Sequence, residues 1–373
     1  MSRSPVRVHV LIDGLGVGGA EVLLAEFGRI EGVALTVGAL KDVGSSHVAD
    51  RLRARGIEPR CVGIPSRLGV VAFRRVRRHL AEVRPDLVHT HLGYADLLGG
   101  PAARSLGIPS VSTIHSLAYP ATTRARVRQR MTTVARRTNA ARVITVSHSA
   151  RLAYLADGAD RPDRVVVVHN GIGGRPERGA GARVRTELGV AADDLMVATV
   201  SSLRREKAHD VAVTAVRMLL PAFPSLRLVV VGDGPLRARV ERAARPLGDR
   251  VVLAGYRPDV MAFLDATDVL LHPSRSDTLP TAVIEAMACS VPVVATNVGG
   301  IGELVEHGST GTLVTPPPTA AAFAAALAPL LGDPGRRRRA GAAARARFEA
   351  EFTADRWARR MREIYLSVLG DQL

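Results

Sequence analysis

Apolar positions along the chain follow two alternating rhythms. Short, nearly continuous apolar runs recur at 6–12, 33–39, 87–90, 110–114, 143–146 and 165–169, and again at 196–201, 226–231, 250–254, 269–272, 291–295 and 311–314. Runs this short, with little polar alternation, suit strands buried on both faces of a parallel sheet. Between them the period lengthens. Ala20, Leu23, Leu24 and Phe27 fall at i, i+3, i+4 and i+7, one face of a helix, and helical patterns cover 209–223, 235–247, 259–266, 279–288, 301–307 and 319–331. Strand and helix therefore alternate, which predicts strand-helix-strand units wound into an α/β fold with parallel sheets. The tail at 353–369, with Trp357, Met361, Ile364 and Tyr365, reads as one more amphipathic helix.

The two series are separated by "GIGGRPERGAGARVRTELG", rich in glycine and arginine and poor in large apolar residues. This divides the chain into a first domain at 1–172, a linker at 173–190, a second domain at 191–352 and a terminal helix at 353–373 that packs back on the first domain. Ligands of such sheets bind beyond the carboxyl ends of the strands, so two domains of this kind facing each other would place their loops across one cleft.

Composition adjusts the picture in a few places. With 373 residues the chain is long enough for two cores, and an aromatic content of 3% means that Ala, Val and Leu must build them. The formal charge of +16 points to an anionic partner, yet all basic residues except Lys41 and Lys207 are arginine, which is also what a GC-rich genome writes. Two distant cysteines, Cys61 and Cys289, suit free thiols. The first residues lack a secretory pattern, and the uncharged stretches at 286–302 and 319–332 do not suit membrane spans, so the expected location is cytoplasmic. The segments "RLGVVAFRRVRRH" and "RARVRQRMTTVARR" leave three options open: anionic lipid headgroups at the inner membrane face, an anionic acceptor, or a solvated surface. Nucleic-acid binding would need aromatics interleaved with the basic residues, and these are scarce.

Candidate chemistry begins with "DGLGVGGAEVLLAEF", where Gly14, Gly16 and Gly19 have the spacing of a dinucleotide-binding turn. A nicotinamide site would add an acid at the end of the second strand, but that strand ends near Lys41, with Asp42 coming late. A tight turn before a helix can receive any phosphate, or none. The stronger stretch is "DVLLHPSRSDTLPTAVIEAMACSVPVVATNVGGIGELVEHGSTGTLV". Asp277 sits in the turn before a helix, Pro280 suits the first helical turn, and the N–H groups of Thr278, Leu279 and Thr281 would form an anion site. Glu285 lies about two turns further on. Carboxylates beside such a site can accept hydrogen bonds from sugar hydroxyls. Asp277 could instead cap the helix.

At this point the sequence resembles the family 4 retaining glycosyltransferases. The resemblance spans nearly the whole chain through "GLGVGGAEVLL", "PDLVHTHLGYAD", "STIHS", "ITVSHSAR", "VVVHNGI", "SLRREKAHD", "VVVGDGP" and "VLAGYRPDV", in order. It implies the GT-B fold, two facing Rossmann-like, doubly wound parallel-sheet domains with a central cleft, and a nucleotide-sugar donor such as a UDP-sugar. It implies that Asp277 contacts the donor sugar, Glu285 the ribose and Lys207 the diphosphate, with Gly18 and Gly19 approaching that diphosphate. His115 would lie near the reacting sugar, His91 and Tyr94 would contact the acceptor, and Gly255, Tyr256 and Arg257 would hold the base.

Three positions depart from the family pattern. Asp277 and Thr278 replace a glutamate and glycine, which shortens the carboxylate by a methylene. Ser202 stands where a phosphate-binding arginine is usual, so Arg204 or Arg205 would have to substitute. Ala208 replaces a glycine.

The sequence contains no Asp-x-Asp triplet, so the expectation is a metal-independent enzyme without cofactor, in which Lys207, arginines and helix dipoles meet the leaving-group charge. The expected reaction is glycosyl transfer with retention of configuration to a lipid, glycan or small-metabolite hydroxyl. A nucleotide-sugar epimerase on the same plan is the alternative within enzymes, and a basic nucleic-acid-binding protein the alternative outside them.

Overall fold

The structure is a computed structural model that describes residues 4–16, 18–41, 46–65, 69–116, 122–156 and 160–370. Asp42 lies outside the described residues. The chain divides into two units, Met1–Gly171 with Ala354–Leu373, and Ile172–Thr353.

In the first unit, β1 (Val6–Ile12), β2 (Val33–Ala39), β3 (Arg60–Cys61), β4 (Leu87–His91), β5 (Ser110–Ile114), β6 (Arg142–Thr145) and β7 (Val165–Val167) form a parallel sheet of order β3-β2-β1-β4-β5-β6-β7. Its helices are α1 (Gly19–Leu23), α2 (His47–Arg53), α3 (Val70–Val83), α4 (Gly93–Ser105), α5 (Thr123–Asn139) and α6 (His148–Ala156). In the second unit, α7 (Ala180–Glu187) precedes β8 (Leu195–Val200), α8 (His209–Leu219), β9 (Leu226–Val231), α9 (Arg237–Ala244), β10 (Val251–Gly255) and α10 (Val260–Asp265). Then come β11 (Val269–His272), α11 (Thr281–Ala288), β12 (Val293–Thr296), α12 (Ile301–Leu304), β13 (Gly311–Val314), α13 (Ala320–Gly332) and α14 (Pro334–Glu351). The second sheet is also parallel, with order β10-β9-β8-β11-β12-β13. The last helix, α15 (Ala354–Gly370), belongs to the first unit.

Both sheets are two-sided, which is why their strands carry apolar residues almost without interruption. In the first unit Val8, Val10 and Ile12 join Leu24, Phe27, Val37 and Leu52 in one core. Trp357, Met361, Ile364 and Tyr365 of α15 complete it, each 7% exposed or less. On the other face of the sheet, Leu11 and Val88 pack with Ala72, Val76 and Leu80 of α3 and with Ala95 and Ala102 of α4. The second unit has its own cluster around Val197, Leu228, Val230, Leu271, Val216 and Phe323.

The strands fall where the apolar runs place them, within two residues, and four features differ from the sequence reading. The two-residue edge strand β3 has no apolar run to announce it. The helix expected at 20–27 changes after Leu23 to a 3-10 turn, Leu24–Arg29, while Leu24 and Phe27 still face the core, since either winding keeps an i, i+3 relation. The expected linker at 173–190 contains α7, which is part of the second unit. There Gly181 lets the helix backbone touch the carbonyl of Asp265, and its N–H donates to Asp265 Oδ2 at 2.8 Å. Finally, the arginine run at 336–339, expected as an exposed helix end, does open a helix, the 18-residue α14, with Arg336, Arg338 and Arg339 exposed, but Arg337 turns inward to pair with Asp268 at 3.2 Å. Among the described residues no helix is long and apolar enough to cross a membrane.

Candidate active site

Each sheet has one place where the strand order reverses, and in parallel α/β sheets ligands bind beyond the carboxyl ends of the strands at that crevice. In the first sheet it lies between β1 and β4, in the second between β8 and β11. Gly18, Gly19, His91 and Tyr94 lie at or beyond the ends of β1 and β4, and Lys207 and Asp277 beyond the ends of β8 and β11, whereas His115 follows β5 and Gly255, Tyr256 and Arg257 lie at the end of the edge strand β10.

At the second crevice, the chain leaving β8 makes a 3-10 turn, Arg205–Lys207, and enters α8 through Ala208, held in the left-handed region at φ +50°. The turn is fastened to the opposite loop: Arg275 N–H donates to the Glu206 carbonyl at 2.7 Å and Arg275 Nη1 to the Arg205 carbonyl at 2.9 Å. Lys207 Nζ thereby reaches Asp277 Oδ2 at 2.5 Å, with the two side chains only 18% and 12% exposed. The same oxygen lies 2.9 Å from His272 Nε2 and 3.3 Å from Ser274 Oγ, and Asp277 Oδ1 accepts from the Thr278 N–H at 3.2 Å. Burial works against the charged carboxylate, but the His272 hydrogen bond and charge, with the Lys207 ammonium, outweigh it and hold Asp277 well below the usual range. Behind this cluster His209 Nε2 meets Ser201 Oγ at 3.1 Å. Burial, with the nearby His272 and Lys207, lowers its pKa to about 4.

The helix after Asp277 begins later than the sequence suggests. Pro280 is its N-cap, not its first residue, and α11 starts at Thr281. The Thr278 N–H is turned onto Asp277's own carboxylate, so it is not part of an open anion site. Leu279 is buried, and the helical N–H groups that precede any intrahelical acceptor are those of Thr281 and Ala282. Asp277 does not cap the helix either. A second loop supports the site: Gly299, at φ +55°, lies directly on the Asp277 carbonyl, where any Cβ would collide, and Gly300 N–H donates to the Thr278 carbonyl at 2.9 Å.

Glu285 lies half-buried on α11, between the buried Ile284 and Ala286. It is close enough to Cys289 that, after burial and Asp265, its charge helps push that thiol up to about 12. Arg204 is exposed at the start of the Lys207 turn. Gly255 has φ +71° and Tyr256 is 43% exposed. The Arg257 guanidinium is committed: it pairs with Asp259 at 2.9 Å and with Glu187, and it lies 4.5 Å from the Phe263 ring centroid. It holds the loop through four hydrogen bonds to these two carboxylates.

At the first crevice, Asp13 follows β1 and receives the Tyr94 and Ala95 N–H groups, at 3.2 and 2.7 Å, on its two carboxylate oxygens. Burial, opposed by these hydrogen bonds, raises its pKa to about 6. Leu92, between β4 and α4, sits at φ 72°, ψ 172°, a conformation ordinarily reserved for glycine. Tyr94 carries Lys41 Nζ 5.4 Å and the Arg128 guanidinium 5.7 Å from its ring centroid, and its hydroxyl accepts from Arg128 at 3.4 Å. His115 Nε2 meets His91 Nδ1 at 2.7 Å. Burial, with the charge of Arg136, lowers His115 to about 4.

His91 differs from its sequence assignment as an acceptor contact. It is 1% exposed, its pKa is well below the usual range through burial, and its Nε2 has no hydrogen-bond partner among the described residues. It supports His115 from beneath. Beside the pair is a cavity of about 10 Å³ lined by His91, His115, Asn170, Phe27 and Trp357, room for at most one water. His89 is fully engaged by Tyr365 Oη and Thr113 Oγ1, both at 2.7 Å.

The glycine loop lies beyond β1. No neighbour crowds Gly14 or Gly16, so packing does not require glycine there. At the start of α1 the Glu21 carboxylate, half-buried, folds back against Gly18, next to Gly19. His272, expected from the sequence to be a structural residue, lies on Asp277, and Ser274 and Asp13 carried no assignment in the sequence. Only their adjacency to Asp277 and to the glycine loop could have marked them.

Comparison with known proteins fits this geometry. Residues 17–173 match the family described as Glycosyltransferase Family 4, and residues 182–347 match that described as Glycosyl transferases group 1. An alpha-maltose-1-phosphate synthase of Mycolicibacterium smegmatis is 33% identical over 307 residues, 76% of this chain and 79% of that protein. A D-inositol 3-phosphate glycosyltransferase of Acidothermus cellulolyticus is 32% identical over 278 residues, 68% of this chain, and the match spans 60% of that protein's length. The crystal structure of Anabaena HepE in complex with UDP-glucose covers 97% of this chain and 99% of its own, with a TM-score of 0.85 and 23% identity, and so shares the fold.

Proposed function

The chain belongs to glycosyltransferase family 4, and from that premise we propose that it transfers a glycosyl group from a nucleoside-diphosphate sugar to an acceptor hydroxyl with retention of anomeric configuration. The observation that carries this reading is the Lys207–Asp277 contact at the β8/β11 crevice. It keeps an ammonium group nearly dehydrated at the point of the sheet where a diphosphate would dock. An arriving phosphate oxygen replaces Asp277 as the counter-ion of Lys207. The carboxylate is not orphaned by that exchange, because His272 and Ser274 still hold it.

Lys207 then stabilises the negative charge that grows on the departing diphosphate, and the exposed Arg204 is placed on the same turn to assist. Glu285 is assigned to the ribose. Asp277, released from Lys207 by that exchange and still held by His272 and Ser274, is assigned to the donor sugar. His115 is neutral near pH 7, so it serves as a polar ring that orients the reacting groups, with His91 behind it. Tyr94, presented by the Asp13 cap, faces the acceptor. Protein cations take the part that a metal plays in other transferases, and activity is expected to persist in excess chelator.

Thermal-shift and calorimetric titration with UDP-, GDP- and TDP-sugars tests the reading. UDP-glucose is the first donor to try, because the Anabaena HepE structure contains it. The expected result is selective binding that Lys207→Ala weakens about 100-fold, the scale for losing one charge-assisted phosphate contact in a dry site, while Glu285→Ala also weakens it. Undiminished affinity in both variants overturns the site. Release of an epimerised nucleotide sugar with no glycosylated product overturns the reaction.

A further inference from the structure

The molecule has an outward-facing pattern on α5 that the transferase site does not use. The inward side of this helix is small: Thr132 and Ala135 are buried, and Arg136 is tied to the buried Asp96 at 2.6 Å. Its outward side carries Val127, Met131 and Val134, exposed by 52%, 53% and 58%. Spaced i, i+4 and i+7, they form one aliphatic stripe. At about 100° per residue, Arg124 and Arg128 flank the stripe on one side, and Arg126, Arg130 and Arg137 on the other. These five arginines are exposed, and the helix contains no acid and no aromatic residue. Val70 and Val71, 65% and 58% exposed, open α3 with the exposed Arg74, Arg77 and Arg78 behind them.

From this pattern we infer that α5 is a docking surface for an anionic phospholipid bilayer. An aliphatic stripe with guanidinium groups on both edges matches an interface in which the stripe enters the acyl boundary and the arginines meet the headgroups. Charge complementarity selects this occupant over the others. A second copy of the chain in a two-fold contact would set arginine rows against arginine rows. Single-stranded nucleic acid would call for aromatic platforms, and the helix has none. Arg128 also touches Tyr94, so a docked bilayer lies beside the crevice between β1 and β4. The inference does not rest on the proposed reaction, because docking is read without turnover.

Co-sedimentation of the full chain with vesicles tests it. The protein is expected to sediment with phosphatidylglycerol/phosphatidylcholine vesicles at low salt, and to remain in the supernatant with phosphatidylcholine alone or at high salt. Combined Arg124→Gln, Arg130→Gln and Arg137→Gln should lower partition about 100-fold, at roughly fivefold per basic residue. Combined Val127→Ser, Met131→Ser and Val134→Ser should lower it about tenfold or more. All six side chains are exposed, so both variants should melt with the wild type; should the apolar triple variant melt early, Met131→Ser alone carries that arm. Absence of sedimentation with anionic vesicles at low salt overturns the inference. So does undiminished binding in both variants, or light scattering that shows a wild-type dimer which the serine variant turns into a monomer.

Discussion

A carboxylate as short as that of Asp277 can serve Lys207 because three further groups hold it in place. His272 and Ser274 meet the oxygen that Lys207 uses, and the Thr278 N–H meets the other. His272→Ala is therefore expected to cost about 1–3 kcal/mol of stability by unburdening a buried carboxylate of its partner, and to weaken donor binding while sparing the fold, as melting curves and donor titration would register. Asp13 supplies a pH-dependent counterpart. Its pKa rises from 3.8 in an unfolded chain to about 6 in the folded one. The neutral acid is thus favoured by folding, a contribution present in full below pH 3.8 and lost as pH rises through about 6. The loss is on the order of 2–3 kcal/mol. Asp13→Asn keeps one oxygen acceptor, for the closer Ala95 N–H, and no titrating group, and chemical denaturation across pH 4 to 7 should show that slope flattened. Lys207 and Asp277 were legible as single residues. Their direct contact was not, because 70 positions separate them and only the sheet order joins the two loops.

Elements were legible in proportion to the apolar residues they bury. The strands, filled on both faces, announce themselves, and so does α15, whose Trp357, Met361, Ile364 and Tyr365 recur on one side. By contrast α14 turns mainly Ala340, Gly341, Ala344 and Phe348 inward, and α7 only Ala180, Gly181 and Val184, so neither shows a strong apolar stripe. Two predictions belong to this scale. Tyr365→Phe leaves His89 Nδ1 buried without its partner and should cost about 1–3 kcal/mol, measured by urea denaturation. Gly299→Ala should disturb the turn at Asp277 more than it disturbs the core, since the added Cβ falls on that carbonyl and the backbone is left-handed there. The expected signature is a loss of donor affinity larger than the loss of stability; equal affinity in the variant would show that the two loops are not coupled.

At the scale of the whole molecule, each unit has its own core and the terminal helix belongs to the first, so unfolding is expected in more than one step. A saturating donor should raise the transition of the second unit selectively, by about 2.7 kcal/mol at a hundredfold excess over Kd, and deletion of 354–373 should weaken the first unit while leaving the donor-responsive transition in place. Differential scanning calorimetry distinguishes the two. What the sequence by itself determined was the order of strands and helices and the family, because apolar period and local motifs are properties of neighbouring positions. The tertiary structure alone decided which of those residues meet. It buried His91 behind His115, committed Arg257 to Asp259 and Glu187, brought His272 onto Asp277, and left the aliphatic stripe of α5 outside. Each of these depends on which strand lies beside which, and on what covers a face, and contacts between positions far apart in the chain leave no periodic trace along it.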